Sequence, residues 1–369
     1  MNRLIIIGNG FDLAHGLKTS YTDFIKWYWA QRVDSFQGNT TQESCDEFCT
    51  ISITKSCWKI FAYKCSYFRG MEVEKKHELI QQMKASNSFS FKKTPLLREI
   101  DKSIETKGWV DIENDYYQLL KECLEKQECH DKAKILNIQL DALKEKLVEY
   151  LKTQEHFNRE NIMSSIGSYL KEKMTEALLF DDISIKGQGL LKEKYEELFA
   201  SIKTSNYKPE HTMLLNFNYT DTVEQLYGNI GECNHIHGEL SNPKNIIFGY
   251  GDELDKDFKE IEDMSDNELL KYAKSVRYLE TGNYRDFLRF IEADLFQVFI
   301  MGHSCGNSDR TLLHTVFEHK NCVSIKPFYH KKEDGSDNYL ELVQNISRNF
   351  NDKELLRDRV VSKERCETM

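Results

Sequence analysis

The stretch Leu4-Ile5-Ile6-Ile7-Gly8-Asn9-Gly10 constrains the fold more than any other part of the chain. A continuous apolar, β-branched run reads as a strand buried on both faces, the pattern of a parallel sheet. Glycines at 8 and 10 end it. The sequence then turns helical, with Tyr21, Phe24, Ile25, Trp27 and Tyr28 at helical spacing behind the cap-type pair Thr19-Ser20. Strand, glycine turn and helix in this order predict an α/β core that starts at the first residues. Its turn would offer backbone N–H groups and a helix N-terminus to a phosphate. The common dinucleotide fingerprint G-x-G-x-x-G fails, because Leu13 stands at its third glycine and the next glycine is Gly16.

From about Asp34 to about Asn206 the sequence becomes Lys/Glu-rich with helical periodicity, best seen in the stripe Leu136, Leu140, Leu143, Leu147 and Leu151. Strand-like runs return at Thr212 to Phe217, Cys233 to His237, Asn245 to Phe248, Leu295 to Met301 and Cys322 to Pro327. Leu312, Leu313, Val316 and Phe317 mark a helical face between the last two. The alternation predicts an α/β fold, a Rossmann-like, doubly wound parallel sheet formed by residues 1–33 and 207–369, with a large, mostly helical insertion at 34–206.

Lys plus Arg total 50 against 60 Asp plus Glu, a net charge of -10, with no dense basic run. That argues against sequence-specific nucleic-acid binding, which needs a basic surface to neutralise phosphates. The run Leu4–Ile7 is too short for a signal-peptide core or a membrane span, so a cytoplasmic protein with no membrane partner is expected. The 10 cysteines show no C-x-x-C pairing and read as reduced thiols, many of them core fillers.

Three later segments carry candidate chemistry. In Asn216-Phe217-Asn218-Tyr219-Thr220-Asp221, Asn218 is placed at a strand end to hold a ribose or a water, or to form an Asx turn that caps the next helix. In Cys233-Asn234-His235-Ile236-His237-Gly238, the side chains at 233, 235 and 237 share one face of a strand. Spacing identifies no further ligand, so no metal is expected. His237 instead reads as a general base titrating near neutrality, or as a hydrogen-bonded core histidine. The run Phe299 to Met301, Gly302-His303-Ser304-Cys305-Gly306 and Asn307-Ser308-Asp309 repeats the opening logic, with Ser308 or Asp309 as a helix N-cap. A further cluster, Trp109 to Tyr117, reads first as a solvated helix face and second as a source of polar groups for a pocket.

Taken in order, G-N-G-F-D-x-x-x-G-L, N-F-N-Y-T, H-x-H-G, I-F-G-Y-G and G-H-S-x-x-x-x-D resemble the AbiH abortive-infection family of bacteria, and Trp109 to Glu113 resembles its W-x-D-h-E element. That family is itself similar to the sirtuin-like NAD-binding fold. Gly8, Gly10 and Gly16 match the glycines of the sirtuin-like pattern G-A-G-x-S-x-x-x-G, with Asn9 in place of Ala and Asp12 in place of Ser. Asn218 matches the asparagine of T-x-N-Y-D, Thr220 standing where Asp is usual, and His237-Gly238 matches its H-G pair. Gly302, Ser304 and Asp309 resemble its late G-x-S and Asp. The resemblance implies NAD as substrate or ligand, with no cofactor required. It also implies that Asn218 and His237 are catalytic, and that Gly8, Asn9, Gly10, Phe11, Asp12, Gly16, Tyr219, Gly238, Gly302, Ser304 and Asp309 form the binding site. The implied function is an antiphage effector hydrolysing NAD, rather than a deacylase, since no four-cysteine zinc module is recognisable. A sensor that binds the nucleotide without turnover is the alternative. A phage-derived trigger and a second copy of the chain are the partners expected, and the helical insertion is the expected place of control.

Overall fold

The strand at Leu4–Ile7 is apolar throughout because it has a core on each side. The computed structural model describes residues 1–36, 42–68, 70–124, 129–155, 163–173, 181–195 and 208–369. In chain order the strands are β1 (Asn2–Ile7), β2 (Glu43–Cys45), β3 (Cys49–Ile53), β4 (Phe89–Lys93), β5 (Thr212–Asn216), β6 (Glu232–His235), β7 (Phe296–Met301) and β8 (Cys322–Phe328). Five of them form a parallel sheet in the order β6-β5-β1-β7-β8. Leu4 and Ile6 of β1 pack on one face with Phe287, Ile291, Leu312, Val316 and Phe317. Ile5 and Ile7 pack on the other with Phe11, Ile166, Leu170, Val223 and Tyr227. Side chains that alternate across a pleat thus meet helices on both faces, which is the doubly wound arrangement. Each fully buried aliphatic side chain contributes about 1.5–3 kcal/mol.

By contacts the chain divides into two units. The first comprises Met1–Leu17, Glu155–Lys259 and Tyr272–Met369 and contains the parallel sheet; the second comprises Lys18–Gln154 and Glu260–Lys271. The boundary expected at residues 206–207 lies outside the described residues. In the second unit, the helix Tyr21–Asp34 starts at Ser20, whose side chain accepts from the Asp23 N–H. The expected leucine stripe lies on the helix Cys129–Lys152 and is buried along its whole length. This unit also holds an antiparallel sheet, β2-β3-β4, absent from the sequence reading.

Two local expectations change. Asn245 to Phe248 is not a strand. Pro243–Asn245 forms a 3-10 turn, and Ile246, Ile247 and Phe248 are all buried in succession. The Ile247 N–H donates to the His237 carbonyl rather than joining a ladder. Trp109 to Tyr117 is not a solvated face either. Trp109 is exposed, but Ile112, Glu113, Asp115, Tyr116 and Tyr117 on the helix Ile112–Leu124 are buried, and Asp115 accepts from the Ser103 hydroxyl at 2.9 Å.

Candidate functional site at the carboxyl edge of the parallel sheet

The strand order reverses between β1 and β7, and an open parallel sheet presents its ligand crevice beyond the strands' carboxyl ends at such a point. Here the turns after β1 and β7 close on each other. Gly8 N donates to Met301 O at 3.0 Å, Gly10 N to Gly302 O at 2.8 Å, and Phe11 N to Gly8 O at 2.9 Å. A Cβ on Gly8 would stand 2.5 Å from the His303 Cα, and one on Gly302, whose φ is +75°, would stand 2.1 Å from Phe11 N. The close approach of the two turns therefore requires glycine at these positions. Three of the N–H groups that the sequence offers to a phosphate are bonded to carbonyls. Gly16, at φ +82°, follows the end of the helix Asn9–Ala14, where Leu17 N reaches back to the Asp12 carbonyl.

Asp12 projects from this short helix and is 1% exposed. Its Oδ2 accepts from the Thr220 hydroxyl at 2.5 Å, its Oδ1 from Asn218 Nδ2 at 3.1 Å. The same Asn218 Nδ2 donates to the Gly8 carbonyl at 3.1 Å. Two acceptors around one amide nitrogen settle which way the Asn218 amide points, and Oδ1 is the acceptor it presents. The Asx turn read at Asn218 is made by Asn216 instead. Asn216 Oδ1 accepts from Asn218 N at 2.9 Å, and its Nδ2 donates to Thr220 O at 3.1 Å. Asn216 thereby holds the loop that carries Asn218.

Burial pushes the Asp12 carboxyl up to about 6, against the hydrogen bonds from Thr220, Thr222 and Asn218. A folded value above the unfolded 3.8 means that its contribution to stability is fully present below pH 3.8 and is lost as the pH rises through 6. Ionised Asp12 thus costs about 3 kcal/mol at neutral pH. Asp12→Asn is expected to gain on the wild type by about 2–3 kcal/mol between pH 4 and pH 7, read from urea-unfolding midpoints. A difference that stays flat across that window would contradict the assignment.

A second buried cluster centres on Asp309. Its Oδ1 lies 2.8 Å from Lys274 Nζ and 3.3 Å from His237 Nε2, and its Oδ2 lies 3.4 Å from His303 Nε2. Asp309 stands at the N-cap position of the helix Arg310–Phe317, as expected, but its side chain makes no cap bond; the carboxylate turns to Lys274 and the two imidazoles instead. Lys274 and the two histidines hold it well below the usual carboxylate range. His303 Nδ1 accepts from Cys305 N at 3.0 Å, so its proton belongs on Nε2 facing Asp309. His237 sits just past β6 rather than on it, and it parts from Cys233 and His235. Its Nε2 is also 3.1 Å from the Tyr278 hydroxyl, and its ring stacks on Tyr278 and meets Phe217 edge-on. Burial first, then the Lys274 charge, lowers His237 to about 4. The ring is neutral at pH 7 and does not titrate near neutrality as the sequence reading expected, because it is buried beside Lys274. With Nε2–H directed at an ionised carboxylate, Nδ1 is its basic atom.

Gly238, at φ +82°, lets the chain turn against Asn245, where a Cβ would meet the carbonyl oxygen at 2.4 Å. Tyr219 is buried and donates to Ile247 O at 3.2 Å, so it braces the loop. Asn9 is half-buried, and Ser304 is exposed beside the turn. Lys274 and Tyr278 were invisible to the sequence reading. They lie in a short helix and the turn after it, with no motif to mark them.

Together these features define a mixed α/β protein whose buried polar clusters gather at the carboxyl edge of a five-strand parallel sheet. The family model described as Bacteriophage abortive infection AbiH matches residues 4–330, and the chain belongs to this family. Membership implies a role in abortive infection of phage-infected cells. No curated protein and no solved structure matches the chain. Among the described residues, no helix is long and apolar enough to cross a membrane.

Proposed function

We propose that the protein is an abortive-infection effector that hydrolyses NAD to nicotinamide and ADP-ribose in a sirtuin-like cleft, with Asn218 and His237 as its catalytic residues. The observation that carries this reading is the orientation of Asn218. Both acceptors of its amide nitrogen are protein atoms, so a fixed Oδ1 is available to a ribose hydroxyl or a water at the strand end. His237, neutral at pH 7, supplies a base on the neighbouring strand end. Water attacks C1′ of the nicotinamide ribose as the glycosidic bond breaks, nicotinamide leaves with the bonding pair, and the water's proton passes to His237 Nδ1. Asn218 orients the water and the ribose and stabilises the oxocarbenium-like centre.

The two departures from the sirtuin-like pattern favour the alternative, binding without turnover. Asp12 replaces Ser and Thr220 replaces Asp, yet the pair is hydrogen-bonded at 2.5 Å, so acid and hydroxyl are both present with their positions exchanged. A constitutive NAD hydrolase would kill its host, and the reading therefore includes a phage-derived trigger.

The test is incubation of the purified full chain with NAD, with and without infected-cell extract, and quantitation of nicotinamide and ADP-ribose. Turnover is expected with the extract, and it should fall by about 100-fold or more in Asn218→Ala and in His237→Ala. Turnover surviving in both variants would remove the assigned mechanism. Absence of turnover in both conditions would replace hydrolysis with nucleotide sensing.

A further inference from the structure

The face of β6 that the sequence reading assigned to Cys233, His235 and His237 is completed differently in the fold. His237 leaves with Asp309, and Glu224 of the helix Thr222–Tyr227 takes its place. One ligand atom each from Glu224, Cys233 and His235 lies within 4.8 Å of the other two. The register sets two of them, because residues 233 and 235 project from the same side of a strand. The helix that precedes β6 supplies the third.

We propose that Glu224, Cys233 and His235 bind a divalent transition-metal ion, zinc by preference. A thiolate, an imidazole and a carboxylate form a borderline donor set that suits Zn²⁺, whereas Ca²⁺ and Mg²⁺ take oxygen ligands. Tetrahedral zinc, with bonds of about 2.0–2.3 Å, places its ligand atoms roughly 3.3–3.8 Å apart. His235 Nε2 and Glu224 Oε2 are now 2.6 Å apart as a hydrogen-bonded pair. A bound ion would replace that proton, so the ligands need side-chain rotation alone.

Two further points support an ion here. The triad lines a cleft of about 520 Å³. Among the described residues no lysine or arginine lines it, while Glu232 and Glu239 do. The cleft's other carboxylates, Glu280 and Asp286, are paired with Arg277 and Arg289. Uncompensated acids at a cleft concentrate cations. Second, three protein ligands leave one position of a tetrahedral ion open.

The experiment is a titration of the chelator-stripped full chain with Co²⁺, followed by displacement with Zn²⁺. One ion per chain is expected, with thiolate-to-cobalt charge-transfer absorption that zinc abolishes. Cys233→Ser should lose the band. Losing an outer-shell partner of a metal lowers affinity by about 10–100-fold, so Glu224→Gln and His235→Ala should each exceed about 100-fold. Cys45→Ser, an exposed thiol of the other unit, should bind as the wild type does. Zinc should also raise the melting temperature of the wild type and not that of Cys233→Ser, which keeps the test decisive where absorption is weak. The proposal is overturned by a band that persists in Cys233→Ser. It is equally overturned by the absence of saturable binding to the folded wild type.

Discussion

Gly302→Ala is expected to destabilise the protein by more than about 3 kcal/mol, enough to leave much of the chain unfolded or insoluble. Two effects add. The residue holds φ +75°, where an alanine costs about 1 kcal/mol or more. Its Cβ would also stand 2.1 Å from Phe11 N and 2.6 Å from Gly10 C, and these are backbone atoms that cannot step aside without parting the turns after β1 and β7. The control is Gly335→Ala, at φ +83° with nothing within 4 Å of the added carbon. It incurs the conformational cost alone, so its loss should stay near 1 kcal/mol. Thermal melting of the two variants separates conformation from contact. Equal losses would show that the two turns are free to move apart.

Lys274→Met should be the other severe change, at about 3–5 kcal/mol, because it leaves the Asp309 carboxylate buried without its closest cation. Lys274 is fully enclosed, so solvent has little scope to compensate. Lys274→Met combined with Asp309→Asn should recover much of that loss, since removing both partners strands neither charge. The pH dependence should also flatten. In the wild type, His237 has a folded value of about 4, below the ordinary 6.5. Its contribution is therefore present above pH 6.5 and is lost as the pH falls through 4. In Lys274→Met the repelling charge is gone while burial, the larger cause, still lowers His237, so its value moves toward 6.5 and less stability is lost on acidification. Urea midpoints at pH 5 and pH 7 compare the two. If the variant keeps the wild-type slope, the Lys274 charge does not add to burial in lowering His237.

The reading of residues 4–7, of the strands near 212, 296 and 322, and of the leucine stripe on Cys129–Lys152 rests on periodicity. Periodicity is local, and it survives folding because each strand or helix buries the face its own sequence makes apolar. The position of Asn218 just after a strand was legible for the same reason, whereas His237, read on the strand Cys233 to His237, lies just past it. Successive buried residues misled at Asn245 to Phe248, where an apolar run fills core space without pairing. The acids of Trp109 to Tyr117 misled in the opposite way. Glu113 and Asp115 are buried, which composition alone does not reveal.

What the turn at Gly8-Asn9-Gly10 does could not be read from the turn. Its glycines suit a phosphate and suit another backbone equally well, and the second glycine turn at Gly302 occupies that approach. Asp309 reads as a helix cap until Lys274, distant in sequence, is placed 2.8 Å away. The stripe of Cys233 and His235 reads as an incomplete ligand set until Glu224 closes it. By itself, the sequence determined the central strands of the parallel sheet, the long leucine-striped helix and the strand ends at which chemistry gathers, because those follow from short-range pattern. The tertiary structure alone decided which charges meet and which histidine stays neutral. Those outcomes depend on burial and on partners that only the assembled sheet brings within a few ångströms.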